Sequence, residues 1–189
     1  MPQDAGTRAG PGPRSPNGSA RPGAHFLGRL GGRHLVGASE RKDIHPKAFF
    51  DAELIHVWTL GVAPYTDERL QENFRLDSFF VGDNTRGSVN EGMADYTPIF
   101  LSRIPQLFRS RMIPIDVALI SVSTPDAHGF CSLGVSVDVV MAAVDSARQV
   151  IAEVNSNMPR TLGDSFVRVD QLHWLVPSDR PVLEMRRAE

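Results

Sequence analysis

Seven residues in two short stretches have the types and spacing to act on a small polar substrate. Ser123, Asp126, His128 and Gly129 lie in the first stretch, and Asn155, Asn157 and Arg160 in the second. Each stretch follows directly on a mainly apolar run, 116–122 and 149–154. An arginine there offers a planar fork of donors that matches a carboxylate or a phosphate. Asp126 beside His128 suits proton handling or the shaping of a cleft, and Gly129 permits backbone geometry that other residues resist. A plainer reading stands beside each. The asparagines would satisfy turn backbone, Arg160 would bridge to Asp164, and Asp126 with His128 would brace their own loop, with Ser123 sharing that ambiguity.

Other combinations carry less. Cys131 near His128 supplies two ligands where a structural zinc site needs four, so a buried thiol is the better reading and no metal is expected. Gly134-Val-Ser-Val-Asp138 lacks the fifth-position glycine of a serine-hydrolase elbow. Trp58, Trp174 and the pair Phe79-Phe80, placed in a strand, read as packing. Arg103, Arg109 and Arg111 read as a solvated edge of one helix.

The elements that must position these residues alternate in type. A buried strand over 54–60 runs into a loop, and Thr66-Asp67-Glu68 starts a short helix ending near Phe74. A second strand spans 78–81. Asn84 caps a helix to about Glu91, closed by Gly92. A short strand at 95–99 precedes an amphipathic helix over 101–112, with Pro105 in its first turn, where a missing N–H costs little. The run 116–122 reads as a strand buried on both faces. A Gly/Pro loop (123–134), a helix (137–147), a strand (149–154) and one or two extended pieces within 167–176 complete the pattern. This alternation predicts an α/β domain with an open, mainly parallel sheet flanked by helices. Ligands on such sheets gather at the carboxyl ends of strands, which is where both polar stretches fall.

A chain of 189 residues with 41% apolar content suits one globular domain. The first 24 residues stand apart: ten are Gly or Pro, too little apolar surface to offset ordering entropy. They read as a disordered tail, without the hydrophobic core of a secretory signal or the amphipathic helix of a transit peptide. Residues 25–52 are transitional and 53–189 form the domain. A net charge of −2 exerts no pull on nucleic acid. The lone cysteine excludes an intramolecular disulfide, and no apolar stretch nears the ~20 residues that span a bilayer. A cytoplasmic chain is expected, with neither nucleic acid nor membrane as partner.

Several long stretches, in order, resemble one family. The run from Asp116 through Val-Ala-Leu-Ile-Ser-Val-Ser-Thr-Pro-Asp-Ala-His-Gly-Phe-Cys-Ser-Leu-Gly-Val-Ser-Val to Asp138 resembles a signature of the acetyl-CoA hydrolase/transferase family, which includes 4-hydroxybutyrate and acetate CoA-transferases. Ile151-Ala-Glu-Val-Asn-Ser-Asn-Met-Pro-Arg-Thr-Leu-Gly-Asp-Ser-Phe166 resembles a second signature, and stretches 79–92 and 94–105 match further. The likeness covers about 53–185 and implies the N-terminal half of a two-domain, NagB/CoA-transferase-like enzyme. It further implies acyl-CoA and a small carboxylic acid as substrates, no bound cofactor, and a glutamate nucleophile that forms a glutamyl-CoA thioester. That glutamate and a glycine-rich CoA-binding segment belong to the second domain. The nucleophile therefore transfers to none of Glu91, Glu153, Glu184 or Glu189, and no catalytic residue is expected here. Residues 1–50 do not match the family's usual opening, which contributes a further sheet element and helix. A second CoA-transferase domain on another chain, or a homo-oligomer, would then complete the site. A non-catalytic acyl-CoA- or partner-binding module and a truncated, inactive product are the alternatives.

Overall fold

The structure is a computed structural model that describes residues 25–28, 52–58 and 63–183. The expected tail 1–24, most of the transitional segment and Glu184 and Glu189 lie outside the described residues. Among the described residues nine strands and three helices follow in chain order: β1 (His25–Gly28), β2 (Ala52–His56), β3 (Phe74–Ser78), α1 (Asp83–Asn90), β4 (Ala94–Tyr96), α2 (Ile104–Arg109), β5 (Val117–Val122), β6 (Phe130–Ser132), α3 (Val140–Ser146), β7 (Gln149–Asn155), β8 (Phe166–Arg168) and β9 (Trp174–Ser178).

Seven strands form one sheet in the order β4-β3-β2-β1-β5-β7-β9, and every neighbouring pair is parallel. The α/β reading therefore holds. The strand order reverses between β1 and β5, so the carboxyl ends of these two strands flank the crevice where such sheets take ligands. β1 corrects the sequence reading: His25–Gly28 falls within the segment that reads as transitional, yet it pairs with β2 on one side and β5 on the other. Four residues ending in glycine carry no periodicity of their own. Neighbours on both sides supply the hydrogen bonds that make them a strand.

The parallel sheet needs cover on its faces, and the sequence shows it. β5 has the buried pattern expected of a run apolar on both faces, with Ala118, Leu119, Ile120, Ser121 and Val122 all buried. Ile120, Val122, Val150 and Ala152 pack in one cluster with Ile104 and Phe108 of α2 and with Val140, Ala143 and Val144 of α3. A smaller cluster joins Leu54, Leu76 and Ala94 to Tyr65, with Val89 of α1 against it.

Element boundaries moved where charge or backbone intervened. The helix expected after Thr66 is two 3-10 turns, Pro64–Thr66 and Glu68–Leu70, the second capped by Asp67, whose carboxylate accepts the Arg69 N–H. The strand expected over 78–81 is β3, displaced towards the N-terminus. Its alternating Arg75 and Asp77 hide the apolar pattern, because Arg75 pairs with Asp95 of β4 and Asp77 accepts the Thr97 hydroxyl. Phe79 and Phe80 thus follow the strand rather than lie in it. The strand at 95–99 shrinks to β4. α1 begins at Asp83 with Gly82 as its cap, and Gly92 (φ 74°) closes it as expected. α2 is shorter than 101–112: its first turn is a separate 3-10 turn at Leu101–Arg103, and Arg111 in a left-handed conformation (φ 57°) ends it.

Candidate functional site

The loop after β5 is organised by its own polar groups. The Ser123 N–H donates to the Ser132 carbonyl at 2.8 Å, and the Ser123 hydroxyl accepts the Ser132 N–H at 2.9 Å. This closes the loop onto β6. At the loop tip, one Asp126 carboxylate oxygen accepts the N–H groups of both His128 and Phe130 at 2.9 Å. The Gly129 N–H donates to the Asp126 carbonyl, and Gly129 takes the left-handed turn at φ 79°. These backbone donors, that of Phe130 first, hold the Asp126 carboxyl below its ordinary range, and the Arg160 charge acts in the same direction. The self-bracing reading of Asp126 is therefore realised, while the His128 side chain stands exposed beside it.

Arg160 brings the second stretch to the first. Its guanidinium donates to the Asp126 carboxylate at 2.5 Å and to the Phe130 carbonyl at 3.1 Å, across 34 and 30 residues. It lies 5.0 Å from the centre of the Phe166 ring, which meets Phe130 edge-on. The salt bridge of Arg160 is thus with Asp126 in the opposite loop, where the sequence reading paired it with its near neighbour Asp164. The link spans the carboxyl ends of β5 and β7, and the Arg160 side chain stays 36% exposed.

The asparagines follow the plainer reading. Asn155 is buried, its carbonyl oxygen accepts the Asn157 N–H, and its amide donates to the Arg180 carbonyl at 2.9 Å. The Asn157 amide donates to the Asp179 carbonyl at 2.5 Å. Together they fix the chain as it leaves β9. Glu153 is buried within β7, and Glu91 caps the exposed end of α1.

Beneath the Arg160–Asp126 link lies a hydroxyl hub that sequence reasoning missed. The Ser132 Oγ accepts the N–H groups of Thr161 at 3.0 Å and Gly134 at 3.1 Å, and it meets the Thr161 hydroxyl at 3.1 Å. The Thr161 hydroxyl in turn reaches Ser165. Gly134 sits at φ 58° with the Met158 sulfur 2.4 Å and the Pro159 carbonyl 2.7 Å from where a Cβ would stand. The hub rests on the antiparallel pairing of β6 with β8, with Phe130 opposite Arg168. The sequence showed only a Gly/Pro loop there. Cys131, in β6 opposite Val167 of β8, is fully buried, and desolvation raises its pKa, as for an inert thiol. Among the described residues no group of acids, histidines and thiols could hold a metal ion, and no helix is long and apolar enough to cross a membrane.

A second strand end carries a different feature. His56 closes β2 and is buried, its two ring nitrogens lack hydrogen-bond partners, and burial lowers its pKa to about 4. The Tyr65 ring packs edge-on against it at 6.1 Å. Nothing in its sequence context separates it from the other five histidines.

Residues 34–184 match the model of the acetyl-CoA hydrolase/transferase N-terminal domain, a likeness that begins earlier than the motifs alone suggested. The chain is 49% identical over 138 residues to a 4-hydroxybutyrate coenzyme A transferase of Clostridium kluyveri, covering 73% of this chain and 32% of that protein. It is 46% identical over 135 residues to a succinyl-CoA:acetate/propanoyl-CoA:succinate CoA transferase of Fasciola hepatica, covering 71% and 28%. Among solved structures, RipA of Yersinia pestis superposes with a TM-score of 0.76 at 25% identity, covering 90% of this chain and 42% of that one. The chain spans about a third of the length of the curated relatives it matches.

Proposed function

Because the chain belongs to the acetyl-CoA hydrolase/transferase family, we propose that it forms one wall of an acyl-CoA:carboxylate CoA-transfer site whose nucleophilic glutamate comes from a second domain. The observation that carries this reading is the Arg160–Asp126 link. It ties together the two loops at the carboxyl ends of β5 and β7, in a chain whose match is to an N-terminal domain.

The chemistry needs a carboxylate to attack the thioester carbonyl. The C–S bond breaks, CoA leaves as thiolate, and an acyl-glutamyl anhydride remains. The thiolate then attacks the glutamyl carbonyl, which releases the first acid and leaves a glutamyl-CoA thioester. A second carboxylate repeats the two steps in reverse and departs as its CoA ester; water in its place gives hydrolysis. A carboxylate is a weak nucleophile, so the wall opposite it must exclude water and present donors to the developing oxyanion. Asp126 is committed to the loop and to Arg160, and Glu153 is buried in a strand, so neither is offered as the nucleophile. The partly exposed Arg160 guanidinium would orient an anionic substrate group, with Ser123, His128 and Gly129 shaping the loop beside it. Asn155 and Asn157 would set the neighbouring strand end.

The test joins this chain to the remaining, C-terminal portion of the Clostridium kluyveri relative, both as a co-expressed pair and as a single fused chain. Transfer of CoA from an acyl-CoA to a carboxylate is then followed, and a CoA adduct is sought on glutamate by mass spectrometry. The pair or the fusion is expected to transfer CoA and the isolated chain to be inert. Turnover by the isolated chain, or inert pair and fusion alike, would sink the reading. Saturable CoA binding without any turnover would replace it with the binding-module reading.

A further inference from the structure

The two edges of the main sheet are built differently. At one edge β4 is three residues long, and its Asp95 is paired with Arg75 of β3; short length and charge are how natural sheets keep an edge from pairing further. At the other edge β9 is five residues long and, among the described residues, pairs only with β7, Trp174 opposite Ile151, Leu175 opposite Ala152 and Val176 opposite Glu153. Side chains alternate across a strand, so Trp174 and Val176 project from one face and Leu175 from the other. All three are exposed, at 61%, 44% and 48% respectively. Pro177 in this strand cannot donate to a further strand, so the edge itself is closed to pairing, but apolar side chains on both faces are what a strand covered on both sides carries. Here no helix layer among the described residues covers it.

We propose that β9 is the docking strip for the domain that follows the N-terminal domain in members of this family, an inference that rests on the two-domain reading above but concerns a different surface from the strand-end loops. Two observations single out this occupant. Asn155 and Asn157 bond the carbonyls of Arg180 and Asp179, so the chain is fixed as it leaves β9 and emerges beside the strip. The matched family model is that of an N-terminal domain, and more than half of the superposed relative lies outside the match. A domain tethered a few residues away meets the strip at an effective concentration in the millimolar range, enough to hold a modest apolar contact. Trp174 is the anchor, a large ring that gains most from being covered.

Hydrogen–deuterium exchange on the isolated chain and on the fused chain described above tests this directly. Docking predicts that amides of residues 174–176 exchange ~10-fold or more slowly in the fusion. In the co-expressed pair, light scattering should show a one-to-one complex that is lost on combining Trp174→Glu with Val176→Lys. The same complex should survive Met112→Lys, which charges an equally exposed apolar residue (69%) away from the strip. Unchanged exchange at 174–176 in a fusion that transfers CoA would overturn the docking strip and leave the catalytic reading intact. Protection at 174–176 in an inert fusion would do the reverse. Slowed exchange in the isolated chain with rising concentration, giving a homodimer, would assign the strip to a second copy and overturn the proposal.

Discussion

The two halves of the main sheet solve the same problem by opposite means. On the β5–β7 side the strand-end loops are held by named polar bonds: Asp126 to two N–H groups and to Arg160, Ser123 to Ser132, and Ser132 to Thr161 and Gly134. On the β2–β4 side the apolar cluster is smaller, and among the described residues two buried polar groups, the His56 imidazole and one Asp77 carboxylate oxygen, go without hydrogen-bond partners. A satisfied network fixes geometry, and that is where a site needs it. An unsatisfied buried group fixes a protonation state instead, because ionising it costs desolvation that nothing offsets. The first half is thus expected to respond to deletion of individual polar groups, and the second to pH.

The largest effect should come from the packing both halves share. Phe108 is fully buried and meets Phe79 at 6.2 Å on the β3 side, within the cluster that also holds α3. Phe108→Ala should cost about 4 kcal/mol in urea unfolding, through lost burial and the cavity left behind. A cost below about 1 kcal/mol would show that the halves are not joined through this ring.

Next comes acid sensitivity of the β2–β4 half. With the His56 pKa lowered from 6.5 to about 4, the unfolded chain binds the proton first as pH falls. Stability from neutral His56 is therefore complete above about pH 6.5 and is lost down to about pH 4, by about 3 kcal/mol in all. Asp77 works in the opposite sense, since burial raises its pKa and its protonation favours the folded state. The His56→Leu variant should flatten the stability profile between those pH values. An unaltered slope in that variant would assign the acid sensitivity elsewhere.

Ser132→Ala should cost about 2 kcal/mol, since it leaves the Thr161 and Gly134 N–H groups without their buried acceptor. A neutral outcome in chemical denaturation would mean that the hub does not brace the loops. The smallest effect on stability is expected for Asp126→Asn, at an exposed ion pair that solvent screens. Its melting temperature should shift least of the four variants and depend less on salt than that of the unaltered chain. In the fused chain the same variant should weaken carboxylate or CoA use more than it weakens folding. Equal loss of both would reduce the Arg160–Asp126 link to scaffolding.

Much of the fold was legible because its signal lies in contiguous residues. The run 116–122 announced a strand buried on both faces, Gly92 marked the end of α1, and Pro105 fell in a first turn as expected. The two polar stretches were also correctly placed at strand ends. Strand edges were less legible where charged residues alternate with apolar ones, as at Arg75 and Asp77 in β3, because their partners lie 20 residues away.

What the sequence determined by itself was the class of sheet, the family resemblance and the neighbourhood of the loops, each a property of residues adjacent in the chain. Only the tertiary structure decided that His25–Gly28 is an inner strand, that Arg160 pairs with Asp126 rather than Asp164, and that Ser132 gathers the backbone of a distant loop. Those outcomes depend on which distant groups the packed core brings within hydrogen-bond reach. A partner 30 or more residues away leaves no local pattern to read.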